Sequence, residues 1–129
     1  MLAKRFIAAL FLLFAAAPAL AERDFKINGT AFSQTEILDA RGTASLSGEP
    51  AILVTVSEKA RAKLQSLSAA VLGKAITASL DGRTLNGPVV RDPIADGMIE
   101  LTGFADFSES EAVAERISGK PPLPDSLEE

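Results

Sequence analysis

The chain has 129 residues, a formal net charge of −4, and no histidine, cysteine, tryptophan or tyrosine. Without imidazole or thiol, the usual N/S-ligated zinc and copper sites are excluded, as are Ser–His–Asp and Cys–His nucleophile systems. The acidic balance argues against a nucleic-acid partner, whose phosphates call for a basic surface, and against simple adhesion to anionic lipid.

Residues 1–21 read as an export leader. Lys4 and Arg5 precede the apolar run "FIAALFLLFAAA", which is too short to span a bilayer. Ala19 and Ala21 then stand where a signal peptidase reads small residues, so cleavage is expected after Ala21. Losing Lys4 and Arg5 lowers the 13 basic residues to 11, against 17 acidic ones. No later segment is apolar and long enough for a membrane span, so the expectation is a periplasmic protein with no span after cleavage.

Residues 22–120 then form one small domain, followed by a flexible acidic tail over 121–129. "DFKINGTAF" (24–32) reads as extended, with a turn at Asn28-Gly29. "EILDARGTASL" (36–46) is a weaker strand, "SGEP" a turn, and "AILVTV" (51–56) a buried strand rich in branched residues. A helix is expected over about 58–72. Ser57 is its candidate cap; Ala60, Leu64, Leu67 and Val71 form its apolar stripe, and Gly73 ends it. Lys59, Arg61 and Lys63 crowd its first turns and read as a solvated basic face, with an acidic partner as the alternative.

"AITASL" (75–80) alternates Ile76, Ala78 and Leu80 on one face. Asp81-Gly82 is a strong two-residue hairpin signal, because a type I′ turn needs positive φ at both central positions. The strand after it is interrupted by Gly87-Pro88, and proline cannot donate to a ladder; this strand is expected at an edge or with a bulge. "GMIELTGF" (97–104) is the next strand. A second helix follows, with Ser108 and Glu111 as its expected capping box, Val113, Ala114 and Ile117 as its stripe, and Gly119 at its end. The fold class is α+β: a single, mostly antiparallel sheet with two helices packed on one face.

Asp81, Asp92 and Asp96 are the carboxylates a catalytic reading would use, since two close carboxylates can share a proton. The bland reading is that loop aspartates form turns. Neither a phosphate-loop pattern nor a calcium-loop pattern is present, and no cofactor is implied.

In order, Gly48, Pro50, Gly73-Lys74-Ala75-Ile76, Leu80-Asp81-Gly82-Arg83, Gly87-Pro88-Val89-Val90, Pro93-Ile94, Gly97, Ile99, Gly103, Phe107-Ser108, Glu111-Ala112, Gly119 and Pro122 or Pro124 make up a motif. It resembles the head of the first periplasmic domain of SecD/SecDF, the protein-export membrane proteins, over roughly residues 35–124. The chain departs from that pattern at Asn86-Gly87, which replaces a small pair, and at "FADF" (104–107), with an extra residue. The resemblance implies a non-enzymatic envelope module, a free-standing head without the motor, whose partner is unfolded polypeptide or an envelope protein. It marks Asp81, Gly82, Arg83, Gly87, Pro88, Gly97 and Gly103 as turn and edge positions and supplies no catalytic residue. Strand addition at an exposed edge near 84–90, or binding in an apolar groove between helix and sheet, is the expected mode. The alternatives are a structural subunit paired with a membrane partner, and a carboxylate-based enzyme.

Overall fold

A computed structural model describes residues 22–124. The expected leader, with Ala19 and Ala21, lies outside the described residues, as do 125–129. Seven strands form one sheet: β1 (Phe25–Ile27), β2 (Thr30–Ala31), β3 (Ile37–Ala44), β4 (Pro50–Val56), β5 (Ala75–Leu80), β6 (Arg83–Val89) and β7 (Met98–Thr102). Their spatial order is β2-β1-β5-β6-β7-β4-β3, and every strand pairing is antiparallel. Among the described residues two α-helices, α1 (Arg61–Ala69) and α2 (Phe107–Ser118), accompany the sheet in an α+β arrangement. Among the described residues no helix is long and apolar enough to cross a membrane.

Alternation decides which face of the sheet is covered. Ile52, Val54 and Val56 of β4, Ile76, Ala78 and Leu80 of β5, and Ile99 and Leu101 of β7 point into one core with Phe25, Ile27, Phe32 and Leu85. Ala60 just before α1, Leu64 of α1, and Ala114 and Ile117 of α2 enter the same core, so both helices pack on this face. Positions one residue out of phase, such as Thr77, Thr84, Asn86 and Met98, remain exposed on the other.

The first helix begins differently from expectation. Glu58–Ala60 is a 3-10 turn, and the α-helix proper starts at Arg61 and closes at Ala69. The Ser57 side chain makes no capping bond; the Ser57 amide donates instead to Glu36 O at 2.8 Å, which ties the turn to the end of the preceding loop. The basic first turns are partly committed within the molecule. Lys63 Nζ donates to both Glu36 carboxylate oxygens and to Ala31 O, and lies over the Phe32 ring. Burial pushes the Glu36 carboxyl upward, but the Lys63 ammonium and Ser33 amide outweigh it and hold it below the usual range.

The second helix is capped by other residues than expected. Asp106 is its N-cap: its carboxylate accepts from Glu109 N at 2.8 Å, and Glu109 reaches back to Ala105 N at 2.6 Å. With Phe107 already helical, Ser108 lies inside the first turn and cannot cap it. At the other end Gly119 adopts the expected left-handed conformation, φ 77°, and its amide closes on Glu115 O. Buried Arg23 supplies a further anchor there, donating Nε to Ile117 O at 2.7 Å and Nη1 to Phe32 O at 3.0 Å.

β6 is not an edge strand. It lies between β5 and β7, and its proline is accommodated by the other expected device, a bulge. Thr77 pairs with Asn86 but Ala75 pairs with Val89, so Gly87 and Pro88 together face Ile76. On its other side β6 pairs with β7 at Asn86↔Thr102 alone. Pro88 thus lies beyond the pairing of β6 with β7 and inside the bulge against β5, where the regular ladder is already interrupted.

Candidate functional site

The motif residues of the β5–β6 turn converge on α2. Asp81 and Gly82 carry φ of 49° and 89°, the double positive φ of a type I′ turn, and only two residues separate the strands. This tight reversal aims the flanking charges at the helix. Asp81 Oδ1 accepts from Asp24 N at 2.9 Å, and Oδ2 meets Arg116 at 2.9–3.0 Å. Arg83 Nη1 pairs with Glu109 Oε2 at 3.2 Å, with its guanidinium above the Phe104 ring. The turn therefore clamps α2 at two points, one near each end of the helix.

Hydrogen bonds set the electrostatics of this clamp. The Asp24 amide, followed by Arg116, holds the Asp81 carboxyl below its usual range. The Ala105 amide, followed by Arg83, does the same for Glu109. A carboxyl whose folded pKa is depressed stabilises the fold above its unfolded value, about 4. That contribution is lost as pH falls through the lower folded value. We expect the urea midpoint to decline below about pH 4–5, and to decline less steeply in the Asp81→Asn/Glu109→Gln double variant. An equal acid slope in the variant would show that the clamp is not the cause.

The remaining motif glycines lie elsewhere. Gly87 and Pro88 form the bulge in the sheet interior. Gly97 precedes β7, where its carbonyl accepts from Val56 N at 2.8 Å beside the Arg61 side chain. Gly103 follows β7 against the Asn86 side chain. The motif is thus distributed between one helix clamp, the bulge of β6 and the two ends of β7.

Two of the three candidate carboxylates are held in structural contacts. Asp81 is engaged by the clamp, Asp96 accepts from Met98 N at 3.0 Å as a turn former, and Asp92 is exposed in the same loop. Among the described residues no group of three or more metal-ligating side chains occurs.

The free edges of the sheet are β2 and β3. Beside β3 lies a cavity of about 370 Å³, lined by Arg41, Gly42, Glu111, Glu115 and Pro122. Gly42 creates this proximity: a Cβ there would come within 2.7 Å of Glu111 Cγ, so α2 lies directly across the strand. Asp39, 7% exposed, accepts from Arg41 Nε and from Leu123 N, both at 2.8 Å. Arg41 Nη2 donates to Leu123 O at 2.6 Å. Residues 121–124 are thereby held along β3. Sequence reasoning overlooked Asp39, Arg41 and Arg23, because their spacing says nothing about partners some 80 to 95 residues away.

No family model matches the chain. It is 32% identical over 85 residues to the protein translocase subunit SecD of Acidaminococcus fermentans, covering 66% of this chain and 20% of that protein. It is 28% identical over 90 residues to the protein translocase subunit SecDF of Thermus thermophilus, covering 69% of this chain and 12% of that one. A crystal structure of SecDF in a super-membrane-facing form superposes with a TM-score of 0.61 at 25% identity, over 72% of this chain and 12% of that one. The structure of a membrane component SecDF that enhances protein export gives 0.60 at 25% identity, over 72% and 42%. The chain therefore spans about a fifth or less of the curated relatives it matches.

Proposed function

We propose that this chain, a SecD/SecDF-like head over 66–72% of its length, is a non-enzymatic module that binds polypeptide outside the cytoplasm in the service of protein export. The observation that carries this reading is the joint likeness in sequence and fold to a translocase subunit and to a component that enhances protein export. Two features of the domain agree with it. The motif carboxylate Asp81 holds a turn against a helix, and Asp96 holds a loop, which leaves neither poised for proton transfer. Among the described residues, one face of the sheet and the outer side of β3 carry no packed helix or neighbouring strand, and a chain in extended form is the natural complement of such a surface.

An equilibrium titration of residues 22–129 with unfolded secretory-protein segments, using the folded proteins as control, tests the proposal. Micromolar binding of the unfolded segments alone is the expected result. Binding to none of them removes the polypeptide-binding reading. A second reading, a subunit that docks onto a membrane partner, is the one that a failed titration would leave standing. Cross-linking in the envelope would then give one dominant partner and no ladder of nascent chains.

A further inference from the structure

β3 is a terminal strand of eight residues, paired with β4 on one side alone. A strand in that position is a template for another chain, and proteins cover or blunt it. Here the cover is the segment Pro121-Pro122-Leu123-Pro124. Three of these four residues lack an amide N–H. The one that has it, Leu123, donates to the Asp39 side chain, and its carbonyl accepts from the Arg41 side chain. The segment is therefore strapped to β3 through side chains, and no main-chain ladder between the two is present among the described residues. Proline-rich chain cannot supply one.

Next to the strap, the cavity is lined by two carboxylates and one guanidinium. Glu111 and Glu115, one turn apart on α2, line it together with Pro122 of the strap. Neither carboxylate is engaged by a hydrogen bond or ion pair among the described residues. Arg41, the cationic side chain of the lining, already donates to Asp39 and Leu123.

We infer that the β3 edge is the docking edge for an extended polypeptide with basic side chains, and that the 121–124 strap is displaced when it docks. The incoming main chain makes the ladder bonds that the prolines cannot, and its alternate side chains enter the cavity toward Glu111 and Glu115. The strap meanwhile guards the edge against pairing with a second copy of the chain. This inference rests on the polypeptide-binding reading above and goes further in naming the edge, the charge of the ligand and the element that moves.

The test uses an unstructured twelve-residue probe peptide of threonine, valine and lysine. It is titrated against the 22–129 chain, a chain ending at Lys120, and the Leu123→Pro variant. The variant removes the strap's single amide donor and leaves the rest of the chain in place, so it reports even where the truncated chain folds poorly. The expected result is at least tenfold tighter binding by both altered chains, with new amide protection confined to β3. A probe carrying glutamate for lysine should bind at least tenfold more weakly at low salt. Equal affinity for all three chains, or protection appearing on other strands, overturns the strapped edge and leaves the broader reading standing. If the probe binds none of the chains, the inference falls, and the titration with unfolded secretory segments decides separately whether the broader reading falls with it.

Discussion

Gly87→Ala should lower the melting temperature by roughly 10–20 °C, corresponding to about 2–3 kcal/mol of overpacking in a domain of this size. Gly87 does not carry a positive φ, so the conformational freedom of glycine is not what holds it there. Space is. A Cβ at this position would sit on the carbonyl oxygen of Ile76, with Ile76 Cγ2 at 2.9 Å and its carbonyl carbon at 3.2 Å. These are mostly main-chain atoms of a central strand, which cannot swing aside as a flexible side chain would. Gly48 is the useful comparison. It has φ of 86° with nothing within 4 Å of a built Cβ, so alanine there pays only for the left-handed backbone, about 1–2 kcal/mol. Thermal melts of the two variants therefore separate the two causes. If Gly48→Ala is the more damaging, the close approach of β6 to β5 is not what the bulge depends on.

Leu64→Ala should cost about 3–5 kcal/mol, a large part of the 5–15 kcal/mol that stabilises an ordinary small domain. Leu64 is fully buried, and it is the one large side chain of α1 with no exposure at all. Leu67 is only partly buried, and Ser68, the other fully buried residue, bonds Ile94 N at 2.8 Å. Truncating Leu64 removes most of the apolar contact holding α1 to the sheet and leaves a cavity that a single helix can close only in part. A drop in urea midpoint at unchanged m-value is the expected signature. Leu46→Ala, at the fully exposed tip of the β3–β4 connection, should change stability by less than about 0.5 kcal/mol. Similar losses in the two variants would mean that α1 is held by something other than its buried stripe.

The stripe that places Leu64 was legible from spacing alone, as was the alternating face of β5. The double positive φ at Asp81-Gly82 also followed from the residue pair, since few other residues tolerate that backbone. Where the reading went astray, competing local solutions were equally compatible with the residues. Asp106 and Ser108 can each begin a helix, and the carboxylate two residues earlier took the role with Glu109 as its reciprocal partner. Gly87-Pro88 is compatible with an edge or with a bulge. The neighbours of β6 decided it, and no local pattern records which strands those are.

What the sequence determined by itself is whatever depends on neighbours along the chain: strand faces, helix stripes, turn geometry, and a likeness to part of SecD/SecDF. Local sterics and period set these, so a few adjacent residues suffice. The tertiary structure alone decided which strands border solvent, that Asp81 and Arg83 grip α2, and that Asp39 and Arg41 strap residues 121–124 to β3. The contacts among these join residues 26 to 84 apart in the chain. Their pairing is a property of how the strands are ordered in the sheet, and many strand orders satisfy the same local pattern.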